Sequence, residues 1–152
     1  MSKNILIFGV ILLVLIVLAY FTFNSFRSLT DSKTIDIKGN KIQLEIADSI
    51  EEQKKGLSGR EKLANNKAML FKFSKADRHA FWMKDMKFPI DIVFINGEKV
   101  VTIYENVKPV QNDRSSNLTT YTPSTPADKV LELNEGSVKK FGIKVNDIIK
   151  IN

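Results

Sequence analysis

The residues of this chain that could do chemistry are few, and they gather in one stretch. Phe81-Trp82-Met83-Lys84-Asp85 sets an indole beside a cation and a carboxylate. Such a cluster can stack a sugar ring or a peptide side chain on Trp82 while Lys84 and Asp85 make polar contacts. The alternative places Trp82 in the core, because aromatics along a short strand divide between core and surface. Asp91 follows inside Pro89-Ile90-Asp91-Ile92-Val93-Phe94. A carboxylate in an apolar run must be paired, hydrogen-bonded or at a strand edge. It is either a general base or ligand contact with a raised pKa, or a structural group that accepts backbone N–H bonds and pins the turn after Pro89. Arg60 could pair with Asp91, hold an anionic ligand bidentately, or sit solvated on a helix. Glu132 occupies the outward position of Val130-Leu131-Glu132-Leu133 by alternation, so exposure is expected. His79 reads as a surface histidine, since no serine in a nucleophile-elbow context accompanies it.

What is missing bounds the chemistry further. The chain has no cysteine, which excludes disulfides, thiolate catalysis and cysteine-ligated metal. One histidine excludes any site that needs two. There is no Gly-rich phosphate loop, no HExxH helix and no EF-hand ladder. No catalytic residue, cofactor or metal is therefore assigned. The formal charge is +6. Two basic residues and one acidic residue precede position 33, leaving 21 against 16, so +5 belongs to residues 33–152. The lysines are spread out and no run exceeds two. That does not describe the clustered basic face that nucleic acid requires, and no nucleic-acid partner is expected.

These side chains must be held by a domain that occupies only part of the 152 residues. Ile5 to Phe23 is an uncharged apolar run of 19 positions. As a helix it would be about 28 Å long, close to the ~30 Å hydrocarbon core of a bilayer. It exceeds the length of a signal h-region and no A-x-A cleavage site follows. A retained single-pass anchor at 5–23 is expected, after a short tail at 1–4 and before a juxtamembrane linker at 24–33. Its lipid partner is the bilayer itself. Flanking charges are nearly balanced. A short leading tail usually stays in the cytoplasm, so the domain at 34–152 is expected on the extracytoplasmic side of the cell membrane.

Within that domain Lys41–Ile46 alternates as a half-buried strand, with Ile42, Leu44 and Ile46 inward, and Gly39-Asn40 turns it back on Thr34–Lys38. Ser49-x-x-Glu52 is a capping box opening a short helix that Gly56 ends, and Ser58-x-x-Glu61 suggests a second helical turn. Met69–Phe73, His79–Met83, Lys129–Leu133 and Asp147–Ile151 read as strands. Ile92–Ile95 and Lys99–Tyr104 flank Asn96-Gly97, a hairpin signal. Ser137–Phe141 reads as a short helix closed by Gly142. The expectation is a mainly β domain of short antiparallel strands, barrel- or sandwich-like, with two or three short helices. Residues 105–128 are polar and break the rhythm, as a flexible excursion or a lid.

Four segments carry a resemblance: GLSGREKL (56–63), AMLFKF (68–73), FWMKDMKFPIDIVFIN (81–96) and YTPSTPADKVLELNEGSVKKFGIKVNDIIKI (121–151). In this order they resemble the family called domain of unknown function 192, over most of residues 41–152. The resemblance implies a small, mostly β fold, often behind a membrane or signal segment, and no established activity. The sequence departs from the family pattern at Asp85-Met86, where Asn-Thr is usual. Ser58 stands where Met is frequent, and Asn146 where Gly is frequent. The function expected is a membrane-anchored binding or accessory domain that recognises an envelope glycan, peptide or protein partner. Two alternatives are a hydrolytic enzyme using Asp91 and a structural subunit of a membrane complex.

Overall fold

The computed structural model describes residues 8–20, 33–110 and 119–151. It divides into two compact units, Met1–Ser32 and Lys33–Asn152. In the first, residues 8–20 form helix α1, whose large apolar side chains are exposed. Among the described residues no helix is long and apolar enough to cross a membrane. The ends of the expected span, 5–7 and 21–23, and the linker at 24–32 lie outside the described residues.

The second unit is built on a six-stranded sheet of order β1-β2-β3-β8-β5-β6. β1 (Lys33–Ile37) and β2 (Asn40–Ala47) form a hairpin. Its turn is Lys38-Gly39, one residue earlier than the sequence suggests, and both residues have positive φ. β2 then pairs in parallel with β3 (Lys67–Asp77). A parallel neighbour needs a crossover connection, and residues 48–66 supply it with helix α2 (Ile50–Lys55). The capping box is present. Ser49 Oγ accepts from Glu52 N–H at 3.2 Å, and Glu52 Oε2 accepts from Ser49 N–H at 3.1 Å. Gly56 ends the helix. Ser58–Glu61 forms turns and no second helix.

β4 (Phe81–Trp82) and β7 (Thr120–Tyr121) make a separate two-stranded sheet. β5 (Ile90–Asn96), β6 (Lys99–Val107) and β8 (Ala127–Asn134) complete the large sheet, with β8 antiparallel to both β3 and β5. Asn96 pairs with Lys99, so the hairpin loop is Gly97-Glu98, and Gly97 carries the positive φ. Helix α3 (Ser137–Phe141) lies between Gly136 and Gly142, both left-handed.

Two expectations are corrected here. The domain is neither a barrel nor an all-antiparallel sandwich. It is an open mixed sheet, because the β2–α2–β3 crossover makes one pair parallel. Asp147–Ile151 is not a strand. It approaches the β5–β6 hairpin through a single bridge, Lys99 to Ile148, and through Ile149 N–H donating to the Glu98 carbonyl at 2.8 Å.

Both faces of the sheet are covered. One face packs Ile42, Leu44, Leu70, Val93 and Leu131 under Val138, Phe141 and Ile143. The other packs Met69, Phe71, Ile92, Phe94 and Val130 under Leu57, Leu63 and Met83. The polar stretch at 105–128 extends β6 at its start and holds β7 in its later part, and residues 111–118 lie outside the described residues.

Candidate functional site

The second face does not close completely. A cavity of about 300 Å³ opens between α2 and its Gly56–Ser58 exit, the β3 side chains Phe71 and Phe73, and the segment His79–Trp82, with Glu132 among its walls. Local geometry explains each wall. Phe81 is held edge-on to three rings: Phe71 at 4.9 Å, Phe94 at 5.6 Å and Phe73 at 6.4 Å between centroids. Such T-shaped packing fixes ring orientation. Phe81 is therefore the inward member of β4, while Trp82 beside it is 50% exposed and also borders the cavity. The His79 imidazole stacks on Phe73 at 3.6 Å. Gly56 passes close to Phe71, whose Cζ would stand 3.2 Å from any Cβ placed there, at a φ of +48°. A side chain at position 56 would strain the backbone and press on the cavity wall.

Glu132 is the residue that the alternation rule misplaces. It is 6% exposed, not on the surface. Alternation separates two faces, but it marks exposure only when one face is solvated, and here both are covered. β8 is central in the sheet, and Glu132 stands in a row with Met69 of β3 and Ile92 of β5. Its Oε2 is buried with no hydrogen-bond partner among the described residues. Burial pushes the carboxyl up to about 8, against the pull of the Arg60 guanidinium. At neutral pH it is largely the uncharged acid.

Arg60 is close enough to act on Glu132 through its charge, but it is bonded elsewhere. Arg60 Nη1 donates to Glu45 Oε2 at 2.6 Å, and Lys67 Nζ donates to Glu45 Oε1 at 3.0 Å. Partial burial would raise the Glu45 carboxyl, but these two cations bond it and hold it below its ordinary value. Glu45 belongs to the same row, in register with Met69. The row thus carries one carboxylate that is neutralised by cations and one carboxyl that is neutral because it is buried.

Of the residues singled out from sequence, Trp82 lines the cavity. Arg60 influences its buried acid. Lys84 and Asp85 belong to a turn tied to the α2 exit, where Ser58 Oγ donates to the Lys84 carbonyl and Gly59 N–H to the Asp85 carbonyl, both at 2.9 Å. Asp85 has a φ of +54° and borders a separate shallow hollow with Ser58 and Met86. Asp91 is fully buried. Its Oδ1 accepts from Asn106 N–H at 2.9 Å and its Oδ2 from Val138 N–H at 2.8 Å. It does not pin the turn after Pro89; it ties β5 to β6 and to the start of α3. It faces the Val138 side of the sheet, opposite the cavity, so Asp91 and Glu132 cannot act on one bound molecule.

Sequence reasoning passes over Glu132, Phe73 and Gly56 as site residues. The available signal is Glu132 itself, an acidic residue inside the apolar run Val130–Leu133 on a strand with neighbours on both sides. Among the described residues no three His, Asp or Glu side chains come together as a metal site would require.

Comparison with solved structures finds the same architecture. One match is a protein of unknown function from Novosphingobium aromaticivorans DSM 12444, 30% identical, with a TM-score of 0.67 over 77% of this chain and 81% of that one. Another is a proposed transcription regulator from Sinorhizobium meliloti 1021, also 30% identical, with a TM-score of 0.65 over 78% of this chain and 90% of that one. No curated protein matches the chain. The family model DUF192, "Uncharacterized ACR", matches residues 33–151, which is the whole of the described second unit, and the chain belongs to that family.

Proposed function

We propose that this protein is a membrane-tethered binding protein whose domain, on the extracytoplasmic side, takes an envelope ligand into the cavity beneath Trp82. One observation carries the reading: a half-exposed tryptophan borders an aromatic-walled cavity whose lining includes a buried carboxyl, Glu132, with one oxygen unpartnered among the described residues. Concave, mostly apolar sites with a few convergent polar groups are the usual form of a ligand site. The tether is supported by the uncharged run Ile5–Phe23 and by the apolar side chains exposed around α1. The hydrolytic alternative through Asp91 has no comparable support, since both of its oxygens are engaged by backbone N–H groups on the other face.

The test is a thermal-shift screen of the detergent-solubilised chain against envelope oligosaccharides and peptides, repeated with Trp82→Ala. A ligand that raises the melting temperature of the wild type and loses most of that effect in the variant supports the site. Equal shifts in both proteins would remove Trp82 from it.

A further inference from the structure

We propose that Glu132 is the hydrogen-bonding anchor of this cavity, and that the group it receives is an uncharged sugar ring stacked beneath Trp82. This rests on the cavity being the ligand site, and it names the ligand class. The placement of the carboxyl is the starting point. It is more than nine-tenths buried, lines the cavity and, among the described residues, leaves Oε2 without a partner. A buried carboxyl with an unbonded oxygen is costly, and the part of this side chain that is still accessible borders the cavity. A molecule bound there is placed to hydrogen-bond the carboxyl from its accessible edge.

Charge narrows the class. The charged and titratable groups around Glu132 are Lys54 and Lys55 from α2, His79 from the β3–β4 connection, Arg60 from the α2–β3 connection, and Glu45 on β2. With +5 on the domain, a cationic ligand is repelled. An anionic group at depth would meet a carboxyl with no directly bonded cation, because Arg60 is committed to Glu45. A neutral group fits. A protonated carboxyl both donates and accepts, which suits a hydroxyl or an acetamido group.

Shape narrows it further. The volume, about 300 Å³, is at the small end of ligand sites and suits one ring rather than a folded segment. The walls carry the rings of Phe71, Phe73, Phe81 and the half-exposed Trp82, together with polar side chains that include Gln53, Ser58 and the buried Glu132. The ligand therefore needs an apolar face and a polar edge, which a pyranose has. An extended peptide docking by strand addition needs a free sheet edge. In the large sheet the cavity lies over the central strands β3 and β8, and the free edge beside it, β4, is only two residues long.

Trp82 is the chain's one tryptophan, so its fluorescence reports on the cavity mouth without interference. The experiment titrates the full chain in detergent with N-acetylglucosamine, chitotriose and cellotriose, and separately with neutral tripeptides. It is run at pH 6.5 and 9.5 on wild type and Glu132→Gln. The expected result is a saturable change with at least one saccharide, about tenfold weaker or more at pH 9.5 in the wild type as the carboxyl ionises. Glu132→Gln, whose amide also donates and accepts, binds at both pH values with the slope removed. That comparison also separates Glu132 from His79. An unchanged slope in Glu132→Gln overturns the role of Glu132. Response to tripeptides alone overturns the sugar assignment while the cavity remains the ligand site. No response to any probe overturns both.

Discussion

Glu132 is buried at a cost that depends on pH, and this gives a prediction at the scale of one side chain. Its carboxyl ionises near 8 in the folded protein and at about 4.5 unfolded. Between those values the folded state holds a proton that the unfolded state has released. Its contribution to stability is therefore complete below about pH 4.5, falls as pH rises towards 8, and is gone above that. A tenfold change in an ionisation constant corresponds to about 1.4 kcal/mol, so the loss between 4.5 and about 8 is on the order of 5 kcal/mol. Glu132→Gln has no such proton. Thermal melts should show the variant more stable than wild type at pH 8.5, by roughly 15 °C or more for a domain of this size, and the gap should close at pH 5. A gap that stays constant from pH 5 to 8.5 would mean that the carboxyl is solvated. The same residue shows where reading by pattern stops. Alternation along Val130–Leu133 assigns Glu132 to the face opposite Leu131 and Leu133, and that is where it lies. What alternation does not contain is the presence of α2, Leu57 and Met83 over that face, because those contacts join residues distant in sequence. Pattern leaves Trp82 and Phe81 open between core and surface for a similar reason: three rings from β3 and β5 decide which of the two turns inward.

The elements legible in the sequence are those specified by close neighbours along it. Ser49 and Glu52 fix the start of α2, and Gly56 its end. Gly136 and Gly142 bracket α3. Asn96-Gly97 marks the β5–β6 hairpin to within one residue. The elements that sequence misreads depend on distant partners. The parallel pairing of β2 with β3 is invisible in either strand alone, and Asp147–Ile151 has strand composition but one bridge. Asp91 links the two kinds of element. α3 has no side-chain cap of its own. Asp91, 47 positions earlier, accepts from Val138 N–H in its place and also holds Asn106 N–H of β6. Removing a buried acceptor leaves those donors unpaired, at about 1–3 kcal/mol each. Asp91→Ala should therefore cost roughly 2–5 kcal/mol in denaturant unfolding. Amide exchange should accelerate first at Val138 and Asn106 while the Trp82 environment is retained. Asp91→Asn, which keeps one acceptor oxygen, should lose about half as much. An Asp91→Ala variant with wild-type stability would show that the two N–H groups find other partners.

At the scale of the whole chain the two compact units make separable predictions. Among the described residues the buried members of both apolar clusters fall between Ile35 and Ile149, and the family match begins at residue 33. A unit of about 120 residues with its own core is within the size range that folds independently. The described part of the apolar run, residues 8–20, has its large apolar side chains exposed, and in the proposed tether a bilayer would cover them. Deleting residues 1–32 should therefore do two things at once. The truncated protein should melt within a few degrees of the full chain, with the same Trp82 fluorescence and the same pH dependence from Glu132. It should also move from the membrane pellet to the soluble fraction, where the full chain requires detergent. The outcomes separate cleanly. A truncated protein that stays folded while the full chain is soluble without detergent would remove the tether and leave the cavity untouched. A truncated protein that unfolds would mean that the first 32 residues complete the core, and the expected division of the chain at residue 33 would fall with it.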